Sequence, residues 1–313
     1  MKKNIFSENN KIVMTHLRIH WKIILFFAIF WFLVGMSLMI NVLQPFDENM
    51  KFAYIGPTQI LRETANGSWG TTKPVVSQML NFATFGAPGI IFFIIVLMTL
   101  NGRVFSKEIN GGQINIWMTS AVSRTQIFYS KFMFIIFSVF IIFAPNFLFL
   151  LIISATTNDA SKYFSSVILY GVQFFIFLVF ISAVVTFIVF SLADKGPLPF
   201  IIVSLIALYI LVTWVITLVD GALEGYEKTW MSYVKYFSLQ SLIANPLNFS
   251  LFKYDESLTE IIVKDQYTYT INHGVHYKPE LWFSIVAPII TIGITVGTVI
   301  GTNALFVRKD FNI

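Results

Sequence analysis

Long apolar runs separated by short polar ones dominate the chain. Six stretches, at about 22–43, 81–101, 131–154, 164–192, 198–219 and 281–306, hold no Asp, Glu, Lys, Arg or His except Lys22 and Lys131 at their ends. A membrane-crossing helix needs about 20 apolar residues, roughly 17–25. A charge at its centre costs about 2.5–3.5 kcal/mol on insertion scales. The pattern predicts an all-α membrane protein with six transmembrane helices and one transmembrane domain, 1–313. The first run is too long for the core of a cleaved signal, and no A-x-A site follows it, so it reads as an anchor. Before it, residues 11–22 place Ile12, Val13, Leu17 and Trp21 among polar residues, as expected of a helix lying on the membrane surface.

Between the runs the segments differ. The first outer segment, about 44–80, carries Pro45, Gly56, Pro57, Gly67, Gly70 and Pro74 and reads as irregular. The last, 220–280, is long: 230–244 reads as an amphipathic interfacial helix. Within it, 259–263 and 267–271 read as a hairpin around Lys264-Asp265-Gln266. Asp194-Lys195-Gly196-Pro197 is a minimal turn.

Composition agrees: of 313 residues 56% are hydrophobic, 17% aromatic and 12% charged, against about 25% charged in soluble domains. Cysteine is absent, which excludes disulfides, thiolate nucleophiles and cysteine-bound metals. With the N-terminus taken as cytoplasmic, the inner segments hold 12 basic and 4 acidic residues and the outer ones 9 and 12. The positive-inside rule therefore places both termini in the cytoplasm, with small structured loops outside.

Several chemistries are missing. There is no G-x-x-x-x-G-K-[ST] to cradle ATP phosphates and no H-E-x-x-H. The spans lack the carboxylates and histidines of proton relays. His16 and His20 are spaced i, i+4, and His273 and His276 flank a glycine; a basic surface helix and an ordinary loop account for them better than metal binding. Gly293, Gly297 and Gly301 form a small-x-x-x-small ladder, which predicts a tight helix–helix seam within the chain or across a dimer. The cytoplasmic segment 102–130 predicts a helix leaving span two, a break at Gly111-Gly112, and a short helix with Ile114, Trp117 and Met118 on one face. Ser123 is placed to cap the next helix. Such a short helix across the membrane mouth either plugs into a cytoplasmic partner or rests on lipid.

This segment resembles the corresponding loop of ABC transporter permeases of the type-2 exporter group, the superfamily that includes the ABCG-like transporters. Their pattern is roughly R-x-x-x-x-E-x-x-x-G-T-[IL]-E, then [ST]-P-[IV]-S-R-x-x-[IL] and a Lys opening span three. Arg103, Glu108, Gly112, Ile114, Val122, Ser123, Arg124, Ile127 and Lys131 match; Gln113, Asn115 and Ala121 depart from it. The ending Phe306-Val-Arg-Lys-Asp-Phe311 is also similar to the family's. The resemblance implies a permease subunit, not itself an enzyme, forming a dimer in the lipid bilayer with an identical or related permease chain. Separate cytoplasmic ABC ATPase subunits would carry ATP and Mg, leaving this chain with no catalytic residue, cofactor, metal or nucleic-acid partner. Residues 113–120 would be the coupling helix docking on the ATPase. Glu108, Gly112, Gln113, Ile114, Trp117, Met118 and Arg124 would be the docking residues, with Glu108 and Arg124 as polar anchors. The implied activity is ATP-driven export of amphiphilic cargo (peptide, lipid or drug) across a bacterial plasma membrane. An ion-coupled carrier or channel, or a non-transporting membrane scaffold, are the alternatives.

Overall fold

The computed structural model describes residues 5–44, 52–64, 67–72, 75–119, 122–223, 230–248, 252–264, 267–276 and 280–309. Among the described residues six helices are long and apolar enough to cross a membrane, which makes this a multi-pass membrane protein. They are span one (Ile5–Leu43), span two (Val76–Asn110), span three (Arg124–Ala155), span four (Ala160–Ser191), span five (Leu198–Leu223) and span six (Leu281–Arg308). Spans two and four are central: 61% of the most apolar window of each is buried, against 17% in spans five and six. The exposed sides of spans one and six are rows of large apolar residues such as Phe26, Ile29, Phe30, Leu33, Ile289 and Ile292, a surface suited to lipid.

Most helices run past their apolar cores. Span one is continuous for 39 residues, about 58 Å at the α-helical rise and roughly twice a hydrocarbon core. The segment 11–22 is therefore not a separate surface helix. Its apolar face is turned inward, with Ile12, Val13 and His16 buried against the rest of the chain. Span three begins at Arg124, where Ser123 and Gln126 form a capping box; each satisfies a backbone N–H that the helix end leaves free. Span two contains two π-helical turns, Leu80–Thr84 and Gly102–Ser106.

Two glycines allow close packing inside the bundle. A Cβ on Gly35 would lie 1.9 Å from Asn146 Oδ1, and one on Gly171 2.0 Å from the Phe147 ring. Asn146 Nδ2 in turn donates to the Trp31 carbonyl (3.2 Å), fastening span three to span one.

One end of the bundle carries a β-sheet; the start of span one and the end of span six lie at the opposite, terminal end. The strands are β1 (Thr58–Thr64), β2 (Gly67–Thr72), β3 (Phe252–Tyr254), β4 (Glu260–Lys264) and β5 (Tyr267–His276). All pairings are antiparallel, in the order β2-β1-β5, with β3 and β4 sharing the far edge of β5. The expected hairpin around 264–266 is present as β4 and β5, although Asp265 and Gln266 lie outside the described residues.

The described residues of the first outer segment are not irregular, since they hold β1 and β2. Ile60 is fully buried and sits opposite Ile271 of β5; together with Tyr269, Phe52, Tyr54 and Val75 they form a small core of the sheet's own. Gly67, at φ 132, turns β1 into β2 where an L side chain would be strained. Residues 230–244 also differ from expectation. The turn Trp230–Tyr233 continues into the single α-turn Val234–Phe237, and the extended Ser238 then interrupts the helix before the turn Leu239–Leu242. Trp230, Tyr233, Phe237 and Trp282 are exposed together at this end, as in the aromatic belts of membrane interfaces.

The short connection between spans three and four, 156–159, joins the sheet end through the Asp159 carboxylate. Asp159 accepts the backbone N–H groups of Ile55 (2.7 Å) and Gly56 (2.8 Å) on its two oxygens, and the Asn158 N–H donates to the Ala53 carbonyl (2.8 Å). All three sheet-end segments are thereby tied together.

Candidate functional site

A buried polar cluster lies at the terminal end, around the segment after span two. Helix Lys107–Asn110 closes span two, and its last turn is stopped by Gly111 and by Gly112 at φ 70. Gly112 permits the left-handed turn that reverses the chain into the short helix Ile114–Met118. The expected break and short helix are both present.

The side chains of that segment divide between inside and outside. Glu108 is buried and forms an ion pair and hydrogen bond with the fully buried Lys131 of span three. Lys131 Nζ also donates to the Val104 carbonyl (2.9 Å) and lies 5.6 Å from the Phe105 ring centroid and 5.8 Å from that of Trp117, within cation–π range. His16 of span one completes the cluster. Its ring stacks on Trp117 (5.4 Å between centroids) and tilts against Phe134 (5.3 Å), with Nδ1 3.8 Å from Glu108 Oε1. Ile114 is buried in the same core and Trp117 is half-buried against it.

The roles expected of these residues change accordingly. Ile114 and Trp117 turn inward, where they hold the short helix to the bundle. Glu108 is an internal anchor, because an unpaired carboxylate or ammonium in this core would be costly. The face directed away from the protein carries Gln113, Ile116 and Thr119, with Ile116 72% exposed. Gly112 is exposed in open space. The side chain of Met118 and residues 120–121 lie outside the described residues.

Arg124 joins the same end to the end of span six: its Nη1 donates to the carbonyls of Val307 (2.9 Å) and Lys309 (3.2 Å). Lys309 reaches Asp194 in the turn between spans four and five (3.3 Å). Hydrogen bonds from the aspartate's own backbone and from Lys309 hold its carboxyl below the usual carboxylate range. Asn110 Nδ2 donates to the Ala193 carbonyl (3.1 Å). The short helix therefore contacts spans one, two and three through the buried cluster, and surface bonds join the same end to the turn after span four and to the end of span six.

The glycine ladder faces elsewhere. A Cβ on Gly293, Gly297 or Gly301 would meet nothing within 4 Å, so among the described residues the ladder packs against no other part of this chain. His16 and His20 stack on each other (6.1 Å). Among the described residues no group of three or more His, Asp or Glu side chains is placed to hold a metal ion.

Sequence reasoning gave Lys131 as the lysine opening span three and His16 as part of a basic surface helix, and placed neither in a buried cluster. Their signals were a lone lysine opening an apolar run and a histidine on the same helix face as Ile12 and Val13. No family model, curated protein or solved structure matches the chain.

Proposed function

We propose that the chain is the permease subunit of an ATP-driven exporter, of the kind formed by type-2 ABC permeases, driven by a separate cytoplasmic ATPase. The terminal end is then cytoplasmic and the sheet end outside. The observation that carries this reading is the short helix Ile114–Met118. It is braced from within by Glu108, Lys131, His16 and Trp117, and it presents Gln113, Ile116 and Thr119 outward. A docking element must be stiff toward its own subunit and free toward its partner, and this one is both.

The mechanism follows from that linkage. A partner closing against Ile116 moves a rigid unit rather than a loose loop. The buried ion pair passes the motion to span three and the His16–Trp117 stack to span one, and Asn110 and Arg124 pass it to the turn at Ala193 and to the end of span six. A second permease chain seats against the open glycine ladder of span six, where small residues let two backbones approach. Cargo crosses between the two chains, and ATP and Mg remain on the ATPase.

The test is co-purification of the full chain from its native membrane. Wild-type chain brings down a P-loop ATPase, and Ile116→Glu, which removes no internal contact, inserts normally and loses most of it. Equal ATPase recovery with both chains refutes the docking role.

A further inference from the structure

A cavity of about 350 Å³ opens at the sheet end between span two and span five. Its wall is the π-helical turn Leu80–Thr84, where the Phe85 N–H reaches back to the Leu80 carbonyl (2.7 Å); such turns recur at functional sites. Phe82, exposed on the bundle surface, and Trp214 of span five form an aromatic side, 5.4 Å between centroids. Among the described residues, none lining the cavity carries a charge.

Two lining groups remain unsatisfied. Ser77 is fully buried and Gln240 is 9% exposed. Ser77 Oγ and Gln240 Oε1 have no hydrogen-bond partner among the described residues. Neighbouring polar groups are engaged: Asn81 Nδ2 donates to the Leu247 carbonyl and its Oδ1 accepts from the Tyr170 hydroxyl (2.7 Å), while Asn248 Nδ2 donates to the Gln240 and Ile243 carbonyls (2.9 and 2.8 Å). Buried polar atoms are nearly always paired, and a bound group is one of the explanations for an exception.

From this geometry we infer that the cavity binds an uncharged amphiphile whose head donates a hydrogen bond, such as an alcohol or amide on a hydrocarbon tail. Gln240 Oε1 accepts only, so the head must carry an O–H or N–H; Ser77 Oγ both donates and accepts. A carboxylate or ammonium head would enter an apolar space with no counter-charge. The tail lies along Phe82 and Trp214. The site rests on the exporter reading only in being a station for cargo; binding itself belongs to this chain alone.

The test uses three amphiphiles sharing a 9,10-dibromostearoyl tail: the monoacylglycerol, the free carboxylate and the methyl ester. Each is titrated into full-length chain in phosphatidylcholine nanodiscs without any ATPase, reading bromine quenching of tryptophan fluorescence. Trp214→Phe supplies the background. The monoacylglycerol should give saturable quenching lost in Trp214→Phe, at least tenfold tighter than the other two. Ser77→Ala and Gln240→Met should each weaken it about tenfold, the scale of one lost buried hydrogen bond, with unchanged thermal unfolding. Equal quenching by all three probes overturns the inference. So does quenching that survives Trp214→Phe, or full affinity in both polar variants. None of these outcomes bears on ATPase docking, which co-purification reads separately.

Discussion

Replacing Lys131 by methionine removes the ammonium and keeps most of the side chain's volume. The loss leaves the Glu108 carboxylate buried with its principal partner gone, since His16 Nδ1 is 3.8 Å away. Removing one member of a buried ion pair costs about 3–5 kcal/mol, because the survivor stays desolvated; replacing both by apolar residues is often neutral. Lys131→Met and Glu108→Leu should therefore each destabilise the chain by about that amount. The double variant should lie within about 2 kcal/mol of wild type, giving a coupling energy of several kcal/mol. Equilibrium unfolding in mixed micelles measures the four proteins. Hydrogen exchange over 107–119 should rise in the single variants, since the pair holds that segment. If each single change costs less than 1 kcal/mol and the double is their sum, the buried brace does not exist.

Other expectations follow from particular contacts. Gly35→Ala places a methyl where Asn146 Oδ1 stands and should cost about 1–3 kcal/mol as overpacking, with Asn146→Ala restoring part of it; failure of that rescue assigns the cost elsewhere. Asp159→Ala removes two charge-assisted bonds to Ile55 and Gly56, each about 1.5–3 kcal/mol, and should raise amide exchange at both residues while leaving the spans protected. Burial, with Glu260 and Asp159 nearby, pushes the Tyr54 hydroxyl up to about 12. The unfolded value is about 10, so the folded state holds the proton more tightly. Its stabilising effect is complete below pH 10 and is lost as pH rises through 12. Tyr54→Phe should flatten that part of the pH–stability curve, and an unchanged curve would exclude Tyr54 as its source.

The six spans were legible because each is a charge-free run long enough to cross lipid, and such runs have few other uses. Their ends were less so. Span one continues before Lys22 because Ile12, Val13 and His16 meet protein, which composition alone does not distinguish from lipid. The sheet was half visible: β4 and β5 announce themselves as a local hairpin, whereas β1 pairs with a strand some 200 residues away, beyond any local pattern. At the terminal end, the Gly111-Gly112 break and the Ser123 cap were readable from turn and capping chemistry. The inward direction of Ile114 and Trp117 was not, because an apolar face on a short helix looks the same whether it meets its own bundle or a partner. Glu108 and Lys131, 23 residues apart, become a pair only when spans two and three lie side by side.

The side of the membrane on which the short helix lies tests the account most directly. The chain has no cysteine, so Ile116→Cys and Ile261→Cys each offer a single exposed thiol, one at each end. A membrane-impermeant maleimide applied to intact cells should label Ile261→Cys and spare Ile116→Cys until the cells are permeabilised. Labelling of Ile116→Cys in intact cells would put the braced helix outside, beyond reach of any cytoplasmic ATPase, and contradict the account.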